Sequence, residues 1–258
     1  MAFSYRDVRA SFSGEKAAQE RHDIMFRWFA RPLSFPVAWL ALRLGLVPNH
    51  VTYASLFGNC VALGLIATGD RSTMSAGVLV ALASLVLDAA DGNMARTSRR
   101  FSPLGEWLEG VGAYLLYAGF HLAGGSGAWL SVLRGHPVVG WPVVPIEAGA
   151  LVAIGGVAAA AITLSVLIAI KFAAAFPAVD RAQVIARRGG GVYGVVFTIG
   201  RNLSFPSGLV LPLTLGGVLL RRYELVLGAY AILNTAALCA VFGRCYILAV
   251  RTAGAGQA

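Results

Sequence analysis

Charge is what this chain has least of. Asp, Glu, Lys and Arg together make up 13% of it, while 57% is hydrophobic and the mean hydropathy is +0.71. An average soluble domain is about one quarter charged, so an ordinary water-soluble enzyme is excluded. Lysine is nearly missing, with Lys16 and Lys171 the only two. The net charge of +9 therefore rests on arginine, which suits phosphate groups and an anionic lipid surface. No soluble basic fold is there to present that charge to nucleic acid, which excludes such a partner. Cysteine is scarce too. Cys60, Cys239 and Cys245 lie in apolar stretches without a CxxC pair, which argues for packed thiols and against a zinc site or a disulfide framework. An apolar leader is also lacking. The polar, charged character of about the first 25 residues leaves no cleavable signal peptide to expect.

What the chain has instead is long hydrophobic runs. Those near 51–68, 74–96, 104–124, 148–170, 205–220 and 226–249 approach or exceed the roughly 20 residues a membrane helix needs. The expected fold class is all-α, a polytopic membrane protein with six transmembrane helices preceded by an amphipathic interfacial helix near 24–45. Residues 1–50 form the expected cytoplasmic N-terminal segment with that juxtamembrane helix, and 51–250 the transmembrane catalytic domain. In the N-terminal segment Phe3, Tyr5, Phe12, Met25, Phe26, Trp28 and Phe29 interleave with Arg6, Arg9, Arg21, Arg27 and Arg31. That pattern fits a helix lying on a membrane and equally one packed on the protein's own helices. Pro48 and Asn49 break the chain before the first span.

Arginines set the orientation. The N-terminal segment, Arg96, Arg99 and Arg100 after the second span, and Arg181, Arg187, Arg188 and Arg201 after the fourth fall on one side. The positive-inside rule makes that side cytoplasmic; Arg221 and Arg222 run against it. Residues 125–147 are expected as an ordered extracytoplasmic loop, and Gly189-Gly190-Gly191 as a flexible joint. The expected location is a bacterial cytoplasmic membrane.

The stretch Leu87–Ala113, LDAADGNMARTSRRFSPLGEWLEGVGA, places carboxylates inside such runs. An ionised group at a bilayer centre costs at least a few kcal/mol, so acids gathered there need a partner. Asp88, Asp91 and Ala95 share one face of the second span, and Gly105, Glu109 and Ala113 share one face of the third. The short connection between them makes these helices antiparallel neighbours, with small residues allowing close backbone approach. The acids then sit roughly 10–15 Å from the cytoplasmic end. Oxygen-only ligands suit Mg2+ or Mn2+, and no His or Cys favours zinc. Divalent ions so held neutralise charge on a diphosphate. Gly92 admits a close backbone approach, and Arg96 is placed to pair with a phosphate or to fix an aspartate. The alternative for Asp88, Asp91 and Glu109 is a buried bridge to arginine. Glu106 reads as a first-turn acid behind Ser102 and Pro103.

The spacing Asp88-x2-Asp91-Gly92-x2-Ala95-Arg96-x8-Gly105-x3-Glu109 resembles the signature D-x2-D-G-x2-A-R-x8-G-x3-D-x3-D of the CDP-alcohol phosphotransferase family. Glu109 stands in place of the third Asp and Ala113 in place of the fourth, the family's base. Arg31-Pro32-Leu33-Ser34 and Pro48-Asn49-His50-Val51-Thr52 are similar to the segments before the family's first span. The resemblance implies transfer of a phosphate-linked group from a CDP-linked lipid to an alcohol in phospholipid synthesis, by a homodimer using divalent metal. It implies metal ligation by Asp88, Asp91 and Glu109, catalytic roles for Asp91 and Glu109, and a nucleotide site at Gly92, Ala95, Arg96 and Gly105 with Asn49 and Thr52 close by. Arg201 is a candidate for an acceptor or lipid phosphate, or an ordinary positive-inside arginine. Without the fourth Asp, two alternatives stay open. One is another diphosphate substrate on the same scaffold, such as a prenyl diphosphate that is ionised or hydrolysed. The other is a non-catalytic relative that binds CDP-lipid.

Overall fold

A computed structural model of the protein describes residues 3–12, 14–20, 22–136, 138–140, 145–179 and 191–255, and among these it is all-helical. In chain order come α1 (Tyr5–Ala10), α2 (Gly14–Glu20), a π-helical turn (Phe26–Ala30) running into α3 (Arg31–Arg43), α4 (Pro48–Ala67), α5 (Arg71–Ser98) and α6 (Pro103–Leu133). Then follow α7 (Pro145–Ala175), α8 (Gly191–Ser204), α9 (Val210–Leu219) and α10 (Tyr223–Ala255).

Local chemistry sets the helix ends. Gly45, at φ +75°, turns the chain out of α3 where a side chain would be strained. Pro48 opens α4, its missing N–H costing nothing in a first turn. The Asp70 carboxylate accepts from the Thr73 amide to cap α5, and Ser102 does the same for α6 through the Gly105 amide. That places Glu106 in the first turn of α6, as its sequence suggested.

Among the described residues four helices are long and apolar enough to cross a membrane: Pro48–Ala67, Arg71–Ser98, Glu147–Ala175 and Tyr223–Thr252. The third expected span, α6, has 31 residues; Glu106, Glu109 and its glycines dilute its apolarity. The fifth is apolar but short. Residues 205–209 form a turn, and α9 begins only at Val210. Pro206 and Gly208 sit in that turn, where the Gly208 amide donates to Phe205 O and the Leu209 amide to Asn202 O. Ten helical residues rise about 15 Å, half a bilayer core. The expected loop at 125–147 is also shorter than its glycines suggested, because α6 continues to Leu133. Gly124, Gly125 and Gly127 are packing residues there, not loop residues. A Cβ on Gly125 would lie 2.6 Å from Leu151 O and 3.2 Å from the Gly155 Cα. Of the expected joint, Gly191 starts α8, while Gly189 and Gly190 lie outside the described residues, as do Arg21, Arg181, Arg187 and Arg188.

One packing relation departs from expectation. α4 packs along both α5 and α6, whereas α5 and α6 scarcely touch each other. The short 99–102 connection does reverse the chain, but α4 occupies the seam where the two carboxylate-bearing faces were expected to meet. On one side Ser55 Oγ donates to Ser84 O at 3.0 Å. On the other, Leu56 and Asn59 lie just under 4 Å from where a Gly112 Cβ would be. Further from the site α6 packs on α7, which packs on α10.

The apolar core gathers at the end of the bundle remote from Asp88, around Ile66, Met74, Phe120, Leu211, Tyr223 and Leu227. Three arginines of that far end are tied to the protein. Arg71 donates to Leu219 O, Arg134 to Thr68 O at 2.6 Å, and Arg222 lies 3.8 Å from Glu224. Arg71 and Arg134 each satisfy a carbonyl at a helix end. Because α6 and α7 meet backbone to backbone, Gly125→Ala is expected to cost about 1–3 kcal/mol, read as a lowered unfolding temperature in detergent. Gly149→Ala, with open space around it, serves as the silent control.

Candidate active site

Three helices supply the walls of one cavity of about 780 Å³ at the end opposite the core. α5 contributes Asp88, Asp91, Gly92, Ala95 and Arg96; α6 contributes Gly105, Glu106, Glu109 and Ala113; α4 contributes Asn49 and Thr52. Arg201, from the last turn of α8, completes the set. Every site residue singled out in the sequence lines this single space. The gap between α5 and α6 is the cavity itself, held open by α4.

Asp91 is buried, at 7% exposure, and its Oδ2 accepts from Thr52 Oγ1 at 2.7 Å. Asp88 is half-buried and Glu109 exposed. Among the described residues no buried bridge to arginine forms at any of the three. Among the described residues the ion pairs are Lys16–Glu20, Arg31–Glu20, Arg201–Asp23 and Arg222–Glu224, and none involves Asp88, Asp91 or Glu109. Nor, among the described residues, do three His, Cys, Asp or Glu side chains stand close enough together to hold a metal ion. The donor chemistry fits a hard divalent cation, being carboxylate oxygens only and in no ion pair among the described residues. The three nevertheless face one space without forming a ligand sphere, because α4 keeps α6 away from α5.

Arg96 lies over Gly92, its Nη1 3.4 Å from where a Cβ on that glycine would be. Its Nη2 donates to Asn93 Oδ1 at 2.8 Å, and its Nε is buried with no partner. An orphaned guanidinium N–H in a polar cavity is a ready donor to an oxyanion. Gly105 has a different reason to be glycine. A Cβ there would lie 2.9 Å from Asn49 Oδ1 and 3.0 Å from Ser102 Oγ. Its absence lets Ser102 donate to Asn49 at 3.2 Å, joining the first turns of α4 and α6.

The rest of the cavity is built from the N-terminal segment, whose two roles the sequence left open. It packs on the protein, although Trp28, Leu40 and Leu44 of the same segment stay exposed. Arg31 is buried and donates to both carboxylate oxygens of Glu20, at 2.5 and 3.0 Å. It also donates to Ala89 O and Asn93 Oδ1 on α5, so Asn93 receives Arg31 and Arg96 together. Asn93 Nδ2 in turn donates to Ser34 Oγ. Asp23 takes Arg201 Nε and Nη2, at 2.5 and 2.9 Å. Asn202 accepts from the Ile24 amide and donates to His22 O, and the Met25 and Phe26 amides donate to Ser207 O. Residues 22–26 are thereby strapped across the α8–α9 turn.

Glu20, Asp23, Asn93 and Asn59, the last buried with an unpartnered Oδ1, escaped the sequence reading. Glu20 and Asp23 fall in a segment of ordinary polar composition. Asn93 and Asn59 are single amides within apolar runs, and such a polar residue at membrane depth is the one signal that was available.

A sequence model of the CDP-alcohol phosphatidyltransferase family matches residues 45–242, most of the chain and all of the α4–α6 wall. No curated protein matches the chain.

Proposed function

The chain belongs to the CDP-alcohol phosphatidyltransferase family, and from that premise we propose that it moves a phosphate-linked group from a CDP-linked lipid to an alcohol, releasing CMP. The family comprises membrane phosphotransferases of phospholipid synthesis that generally depend on a divalent metal. The observation that carries the reading is the convergence of Asp88, Asp91, Glu109 and Arg96 on one cavity, with the three acids in no ion pair among the described residues.

In this reading Mg2+ or Mn2+ would be held by Asp88, Asp91 and Glu109, where it would neutralise charge on the diphosphate. The residues of the chain do the rest. Thr52 fixes the Asp91 carboxylate, Arg96 donates its free Nε–H to a phosphate oxygen, and Gly92 and Gly105 leave backbone room for the nucleotide beside Asn49. The acceptor oxygen attacks the lipid-bearing phosphorus and the bond to CMP breaks. Glu109, one turn before Ala113, is the acid nearest that position on the same face of α6, since Ala113 offers only a methyl group and Glu106 sits in the helix's first turn. It therefore takes the hydroxyl proton as well as serving the metal. We read α6 and the interrupted α8–α9 pair as the third and fifth crossings of a six-span, 51–250 catalytic domain. Its cavity faces the cytoplasm of a bacterial membrane protein that works as a homodimer.

Ala113 favours a second reading. A cavity with no base in that position suits ionisation or hydrolysis of another diphosphate, such as a prenyl diphosphate. The deciding measurement is CMP release from CDP-diacylglycerol by purified protein with a pool of small alcohols. The expected result is acceptor-dependent CMP, abolished by EDTA and restored by Mg2+ or Mn2+. Pyrophosphate from a prenyl diphosphate with no CMP would select the second reading, and metal-dependent CDP binding without turnover would leave a binding protein.

A further inference from the structure

The face of α6 that carries Gly105, Glu109 and Ala113 continues one turn deeper to Tyr117, which lines the same cavity as Asp88 and Arg201. Tyr117 is half-buried. Its ring meets Phe205, in the α8–α9 turn, edge to face at 5.2 Å, and Tyr114 at 6.3 Å. Tyr114 is three residues back along α6, the direction in which long helical side chains lean. Ala113 is four back on the cavity face, where a methyl group leaves the room that an acid would fill. One helical turn rises about 5.4 Å, within the reach of a tyrosine. The Tyr117 hydroxyl is in no hydrogen bond among the described residues, and the charges of Arg201, Asp88 and Asp23 act on it from around the cavity. A phenylalanine would make both ring contacts, so packing alone does not account for that hydroxyl.

We propose, resting on the transferase reading, that Tyr117 binds the acceptor alcohol. Its hydroxyl hydrogen-bonds the acceptor beside Ala113 and holds the reacting oxygen toward the donor's phosphorus. A neutral phenol both donates and accepts a hydrogen bond, so it meets an alcohol's hydroxyl without changing charge. Tyr117 takes no proton. The acceptor's proton goes to Glu109, the new bond forms between the acceptor oxygen and the lipid-bearing phosphorus, and the bond from that phosphorus to CMP breaks. Fixing a nucleophile in place lowers the barrier through orientation, which counts for more where the base stands a turn away from Ala113, at Glu109. The ring is itself braced for this work. Phe205 holds it from the side, and the Arg201 guanidinium lies 5.9 Å from the Phe205 ring.

The test is Tyr117→Phe, with acceptor and donor titrated separately in CMP release. Glycerol, sn-glycerol 3-phosphate, myo-inositol, its 1-phosphate and serine are each offered with CDP-diacylglycerol, and the acceptor that the wild type uses best is carried forward. Loss of one hydrogen bond to that acceptor is expected to lower its kcat/KM about tenfold, with KM for CDP-diacylglycerol unchanged. The variant is expected to unfold at the wild-type temperature, since both ring contacts remain. An unchanged kcat/KM for the acceptor, whatever the unfolding temperature, would make Tyr117 a packing residue and overturn the inference while leaving the transferase standing. A raised KM for CDP-diacylglycerol with the acceptor unaffected would overturn it too, by turning the hydroxyl toward the donor. No CMP from the wild type with any acceptor would remove both the inference and the reading beneath it.

Discussion

Asp91→Asn is expected to lower CMP release about 10³-fold without unfolding the protein. Asparagine has the shape of aspartate, and its Oδ1 still accepts from Thr52 Oγ1, the one side-chain hydrogen bond of Asp91 among the described residues. What disappears is a negative charge that is buried and met by no cation among the described residues. Loss of one preorganised electrostatic contributor typically costs 10²–10³-fold, and loss of a metal ligand sits at the upper end. Removing an unpaired buried charge also relieves desolvation, so the variant should unfold no lower than the wild type. Both quantities are to be measured, turnover with CDP-diacylglycerol and thermal unfolding in the same detergent. Turnover within tenfold of wild type would mean that the reaction does not run through this cavity's acids.

The largest effect on stability is expected at Arg31. Methionine there takes two guanidinium bonds from the buried Glu20 carboxylate, leaving it the looser 3.7 Å pairing with Lys16, and removes one donor each from Ala89 O and Asn93 Oδ1. The guanidinium also lies 4.8 Å from the Phe12 ring. Breaking a buried pair from one side costs about 3–5 kcal/mol, a large share of a typical protein's stability. The double variant Glu20→Gln, Arg31→Met should recover part of the loss, because no buried charge is then left alone. If Arg31→Met melts within 1–2 °C of wild type, the N-terminal segment is not fastened to α5 by this pair.

The membrane class was legible because it depends on composition, and the site's members were legible because acids spaced 88, 91 and 109 in apolar sequence have few structural uses. That they line one cavity is geometry, which the structure supplies. The way they converge was not legible. Periodicity places Asp88 and Glu109 on faces but does not say what lies between the faces, and α4 lies there. Apolar content alone also promised a helix over 205–220, yet Pro206 and Gly208 turn the chain first. Glycine was misread in the other direction at Gly125 and Gly127, which mark close packing against α7 and α4 and not a loop. The strap at residues 22–26 could not be seen, since its partners at 198–207 are remote in sequence and each residue is unremarkable alone.

Because α4 stands between the two acidic helices, the distance across the site is set by a third party. Ser55 and Gly58 define how near α5 comes, and Leu56 and Asn59 how near α6 comes. The fourth helix acts as a gauge block, and its thickness at those four positions is the jaw opening between Asp91 and Glu109. A smaller side chain at Leu56 would let Glu109 approach and a bulkier one would hold it off, with neither acid altered. The longer reach of glutamate over aspartate at 109 is one way to span a wide setting. The site can therefore be retuned from a helix that carries no acidic residue.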